Sequence, residues 1–172
     1  MIDGRNTLAT IVQSATIELF QVFEIAVAPI PSFKALPQGL EDQLSAAAPF
    51  SSLVMRGNLA AFLPYDIYTL ARHPVQRPYE PKDWTRELCN QLLGRVKNRL
   101  HGCDIDLKTG LPTSVTGTLL ERHHSDQLPE AFFGFRSLRG EITVTLTGSI
   151  DFARILYTGK HCSAKEGDVI LF

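Results

Sequence analysis

Glu87-Leu88-Cys89-Asn90-Gln91-Leu92-Leu93-Gly94-Arg95-Val96-Lys97 decides how this chain folds, because its apolar and polar residues separate at a helical period. Projected at roughly 100° per residue over positions 83 to 100, Trp84, Leu88, Cys89, Leu92, Leu93, Val96 and Leu100 share one broad arc that belongs against a core. Glu87, Asn90, Gly94 and Lys97 fall opposite, at the spacing that lines residues up along a helix surface. Asp83 is the expected N-cap, Pro81 disfavours extending the helix backward, and Trp84 opens the apolar phase. Gly94 is the odd member, since glycine inside a helix costs about 1 kcal/mol against alanine. On an outward face it removes a side chain where another surface has to come close, leaving the amide of Asn90 free to project. The plain alternative is a solvated polar face with an incidental glycine.

The helix sits in a chain of 172 residues, a length that suits one domain with a core needing no metal or disulfide. We read 1–172 as a single domain with internal halves at about 1–75 and 80–172. A net charge of -1 gives no broad basic field, which argues against nucleic acid or an anionic membrane as the main partner. Cys89, Cys103 and Cys162 are an odd set without CxxC spacing, as expected in a reducing compartment, and the cytoplasm is the expected location. The N-terminal Met1-Ile2-Asp3-Gly4-Arg5 lacks a signal-peptide core, and no apolar run is long enough to span a bilayer.

Arg56-Gly57-Asn58-Leu59-Ala60-Ala61-Phe62-Leu63 and Arg139-Gly140-Glu141-Ile142-Thr143-Val144-Thr145-Leu146 repeat a turn glycine followed by a strand-like run. Short helices are expected after each, over Tyr65 to Arg72 and Ser149 to Leu156, the second ambiguous by period. A long helix from about Asn6 to Phe23, capped by Asn6 or Thr7, would open the first half as the Gly94 helix opens the second. Each half would run long helix, hairpin, short helix, and two such hairpins bury their apolar faces best in one sheet. The expected fold class is α+β, a mostly antiparallel sheet with long helices packed on it. The proline-rich stretch from Pro74 to Pro81 reads as a stiff connection, and residues 122–130 as a polar loop.

Glu87-x-x-Asn90, with Gly94 and Lys97 following, resembles the signature helix of the CheC/CheX-type chemotaxis phosphatases. Leu111-Pro112-Thr113-Ser114-Val115-Thr116-Gly117 resembles the family's Leu-Pro-x-x-x-x-Gly segment, which enters a strand after that helix. The chain departs from the pattern at Arg95, where the family often has Asn, and at Gln91, a usually apolar position. The resemblance implies pseudo-symmetric halves, and Glu18-Leu19-Phe20-Gln21 echoes the motif loosely on the first helix, where it reads as a solvated rim.

The resemblance further implies hydrolysis of the aspartyl phosphate of a CheY-like response regulator. Asn90 would place the water, Glu87 would pair with the regulator's lysine, Gly94 would give clearance and Lys97 would meet acidic surface. It implies no cofactor of the protein's own, the divalent metal belonging to the regulator. It implies a homodimer through the sheets; the apolar run Asp168-Val169-Ile170-Leu171-Phe172 suits an edge or exchanged strand, with a monomer that tucks this strand inside as the alternative. A docking module that hydrolyses nothing, or a scaffold in a sensory or motor assembly, would use the same fold.

Weaker candidates are His101 with Cys103 and Cys89 as a metal group, His123-His124 in a loop, and His161 with Cys162, none with ligand spacing. Trp84, Phe132, Phe133 and Phe135 read as core.

Overall fold

The computed structural model describes residues 3–31, 43–71, 80–114, 131–156 and 158. The first helix, α1, runs Gly4–Val22 and buries Leu8, Ile11, Val12, Ala15, Leu19 and Phe20. Its cap is Asp3, whose Oδ1 accepts the Arg5 amide at 3.1 Å, not Asn6 or Thr7. A carboxylate directly before Gly4 caps the helix three positions before Asn6 and four before Thr7. After α1 come β1 (Ala28–Ile30), β2 (Gln43–Ser51), β3 (Met55–Pro64) and the short helix α2 (Tyr65–Leu70).

The second long helix, α3, spans Pro81–Leu100, so Asp83 lies in its first turn and not at its cap. Pro81 takes the first helical position, where its missing N–H costs nothing and its fixed φ already suits the helix. Asp83 instead forms an ion pair with Arg86 one turn on. Strands β4 (Lys108–Thr109), β5 (Thr113–Ser114), β6 (Ala131–Ser137) and β7 (Gly140–Ile150) complete the described elements. The expected helix over Ser149 to Leu156 is replaced by the end of β7 and a single 3-10 turn at Phe152–Arg154.

The strands form one antiparallel sheet in the order β1-β6-β7-β3-β2-β4, with β5 also on β2. This order reads the same from either edge once β1 is matched with β4 and β5, β2 with β6, and β3 with β7. Each hairpin is therefore flanked by strand from the other half, and the halves meet where β3 pairs β7. At that seam Gly57 faces Gly148, and the backbones come so close that a Cβ on Gly57 would lie 1.7 Å from the Thr147 carbonyl oxygen. The echo of Gly57 and Gly140 is thus out of register. Gly140, at φ 116, closes its hairpin opposite Ser137, whereas Arg56 holds that place opposite Ser51 and Gly57 comes one pair later.

Both long helices pack on one face, over Ala46, Ala48, Phe50, Leu59, Ala61, Leu63, Phe133, Phe135, Ile142, Val144 and Leu146. The pairs Ala48↔Leu59 and Leu59↔Leu146 carry that face across the sheet. Phe133, Phe135 and Trp84 are buried as expected, while Phe132 is half-buried. The expected 122–130 loop, the Pro74 to Tyr79 part of the connection, Val115 to Gly117, His123, His124, His161, Cys162 and the 168–172 strand lie outside the described residues.

Candidate functional site

The site is built on α3, and its outward stripe exists because the opposite face is held down at several points. Cys89 is buried with its Sγ 3.6 Å from the Ala46 carbonyl and 3.7 Å from that of Leu59, so the middle of α3 lies across β2 and β3. Burial pushes its thiol up to about 12 and burial also raises that of Cys103, which makes both structural thiols. Among the described residues no three of His, Cys, Asp and Glu gather to hold a metal, and the His101, Cys103 and Cys89 grouping does not form one.

At its N-terminal end α3 is fixed by Trp84, whose ring meets Phe23 edge-on at 5.8 Å and Tyr68 at 5.6 Å. Ser114 of β5 donates to the Lys82 carbonyl at 3.4 Å, tying the Leu-Pro segment to the same end. On the other flank Glu18 of α1 accepts from Arg99 at 2.5 Å and lies 3.9 Å from Arg95. Glu18 is therefore a strap between the two helices and not the solvated rim expected of it. Arg95, where the chain departs from the family pattern, is used inside the molecule.

With the helix so held, Glu87 and Asn90 are exposed, and Gly94 and Lys97 are half-buried along one line. The carboxamide of Asn90 has no hydrogen-bond partner among the described residues, so both its donor and its acceptor are available. Glu87 accepts from the Gln91 amide through Oε1 at 2.9 Å. A Cβ built on Gly94 would meet nothing within 4 Å, the helix's own backbone aside. Nothing in the fold among the described residues therefore calls for glycine here, in contrast to Gly57.

The first half offers no equivalent stripe. Both long helices end alike: Glu24 and Asp104 adopt left-handed φ of 59° and 60°, and the following Ile25 and Ile105 amides donate back to Phe20 and Leu100 at 3.0 and 3.1 Å. Matching those ends puts Thr7, Thr10 and Ser14 where α3 has Glu87, Asn90 and Gly94. Their hydroxyls turn back onto the carbonyls of Asp3, Asn6 and Thr10 at 3.4, 2.9 and 2.7 Å. Glu18-x-x-Gln21 falls a full three turns from that position, so the apparent echo on α1 is a coincidence of letters. A cleft of about 450 Å3 bounded by Ser52, Leu53, Asp104, Asp106, Lys108 and Arg154 lies beyond the C-terminal end of α3 and includes no residue of the stripe.

The sequence matches no protein-family model and no curated protein. Solved structures do match: CheX from Vibrio vulnificus aligns at 12% identity and TM-score 0.59, covering 80% of this chain and 93% of that one. A CheC-like superfamily protein from Shewanella sp. PV-4 aligns at 12% identity and TM-score 0.60, covering 81% and 96%. The CheX–CheY–BeF3–Mg+2 complex from Borrelia burgdorferi aligns at 15% identity and TM-score 0.56, covering 84% and 98%. The chain has the CheC/CheX-like fold. Among the described residues no helix is long and apolar enough to cross a membrane.

Proposed function

We propose that this protein is a phosphatase that removes the phosphoryl group from the aspartyl phosphate of a CheY-like response regulator, with α3 presented to the regulator's active site. The observation that carries the reading is Gly94, a helix-interior glycine with open space where its side chain would be. A vacancy that serves nothing inside the fold serves an incoming surface, and it lies one turn from an unengaged Asn90. The stripe stands on the outside of a helix and not in a cleft. That shape suits insertion into a partner's groove better than capture of a small molecule. Further support comes from the fold shared with proteins described as CheX, one of them solved with CheY, BeF3 and Mg+2.

Hydrolysis of an acyl phosphate is mainly positioning and electrostatics. Water attacks phosphorus as the bond to the aspartyl oxygen breaks, releasing phosphate and restoring the carboxylate. Asn90 accepts a hydrogen bond from that water through Oδ1 and donates through Nδ2, adding no negative charge beside the phosphoryl group. Glu87, one turn earlier, pairs with the regulator's lysine and fixes the docking register. Lys97 meets acidic surface at the edge of the contact. The divalent metal is the regulator's, and the reaction belongs in the cytoplasm. A homodimer through the sheet edges is part of the same proposal, and light scattering of the purified chain reads it.

The test is the decay of phosphorylated regulators from the same organism with wild-type protein and with Asn90→Ala. Faster decay with wild type, reduced to the intrinsic rate by the variant, is the expected result. No acceleration by wild type across those regulators overturns the phosphatase and leaves a docking module.

A further inference from the structure

Gln91 occupies a position that the family pattern leaves apolar, yet it is exposed, one helical turn beyond Glu87, and its Nε2 donates to Glu87 Oε1 at 2.9 Å. Resting on the reading above, we propose that Gln91 is a positioning residue for docking: it holds the Glu87 carboxylate in one orientation, with Oε2 left to meet a cationic group on the regulator.

The argument is one of conformational freedom. A glutamate side chain on an open helix face samples several rotamers, and an interface that uses only one must freeze the others out. A neutral amide at i+4 removes that freedom before the partner arrives. Being neutral, it leaves the charge of Glu87 intact, whereas a lysine there would compete with the partner's own cation. The arginines of α3 are engaged elsewhere, Arg86 with Asp83 and Arg95 and Arg99 with Glu18, and Lys97 lies ten positions beyond Glu87 along the helix. Among the described residues, the hydrogen bond to the Glu87 carboxylate comes from Gln91.

The test is Gln91→Ala in wild-type and Glu87→Ala backgrounds, reading KM and kcat for regulator dephosphorylation and thermal unfolding. Expected is a rise in KM of about threefold to tenfold, the cost of freezing one rotamer-rich side chain at an interface. The turnover at saturating regulator stays unchanged, and the effect disappears when Glu87 is already absent. An equal rise in KM in both backgrounds, a change confined to kcat, or no change overturns the proposal. A second reading needs no partner: the Gln91 side-chain amide NMR signals of the isolated protein should move on Glu87→Ala. If they do not, the positioning role fails whatever the activity. If they move but wild type accelerates no regulator, the phosphatase reading is what has failed.

Discussion

Asn90 and Gly94 lie four positions apart on α3 and separate stability from function in opposite ways. Asn90→Ala removes an exposed amide without partners among the described residues, so the melting temperature should stay within about 2 °C while hydrolysis is lost. Gly94→Ala fills open space and gains helix propensity. Thermal unfolding should show it more stable by about 1 kcal/mol, yet regulator binding should weaken, and Gly94→Leu should weaken it further with the fold intact. Unchanged binding of the Leu variant would remove the clearance argument. Cys89 shows its environment through pH. Its folded thiol is pushed up to about 12, above its unfolded value, so its contribution to stability is complete below the unfolded value and is lost as pH rises toward 12. A thiol reagent at neutral pH should leave Cys89 unmodified until denaturant is added, which mass spectrometry reads directly.

At the scale of elements, the helix interiors were legible and their ends were not. The apolar arcs of α1 and α3 carry a strong period, and every residue assigned to the α3 arc is buried. The starts were misread because Asp3 and Pro81 act through backbone chemistry, capping and a fixed φ, to which apolar periodicity is blind. Replacing Asp3 with Ala should cost about 1 kcal/mol of global stability if the cap works as the geometry indicates, measured by urea unfolding. Strands β1 and β4 went unread for a different reason, and β5 was expected only through the resemblance of its Leu-Pro segment. At three, two and two residues they carry too little alternation to register, and β4 and β5 are split by Gly110-Leu111-Pro112. Thr109 and Thr113 pair with Phe50 and Ala47, so those three residues stand against Ala48 and Pro49, a bulge. The outward stripe was legible as a face, since Glu87, Asn90, Gly94 and Lys97 all lie on the accessible side of α3. The engagement of Glu18 by Arg95 and Arg99 was not, because ion pairs between helices leave no local pattern.

For the whole molecule, the repeat was visible as two glycine-led hairpins, but the two glycines play different parts: Gly140 closes its hairpin, whereas Gly57 belongs to the seam. Gly57 and Gly148 sit face to face where β3 meets β7, and side chains there would collide with backbone. Gly57→Val should therefore unfold the protein or cost several kcal/mol, a far larger loss than the same change at Gly94, where a Cβ meets nothing, and circular dichroism melts of both would show the contrast. The exchange of edge strands has a consequence for biosynthesis. As the polypeptide leaves the ribosome, the β2–β3 hairpin emerges early, yet the segments that cover its outer edge, 108–109 and 113–114, follow only after all of α3. Until then that edge is open to any neighbouring chain. Neither half carries the strands that flank its own hairpin, and two fragments cut between residues 71 and 80 should each stay unstructured and regain the native fold only when mixed.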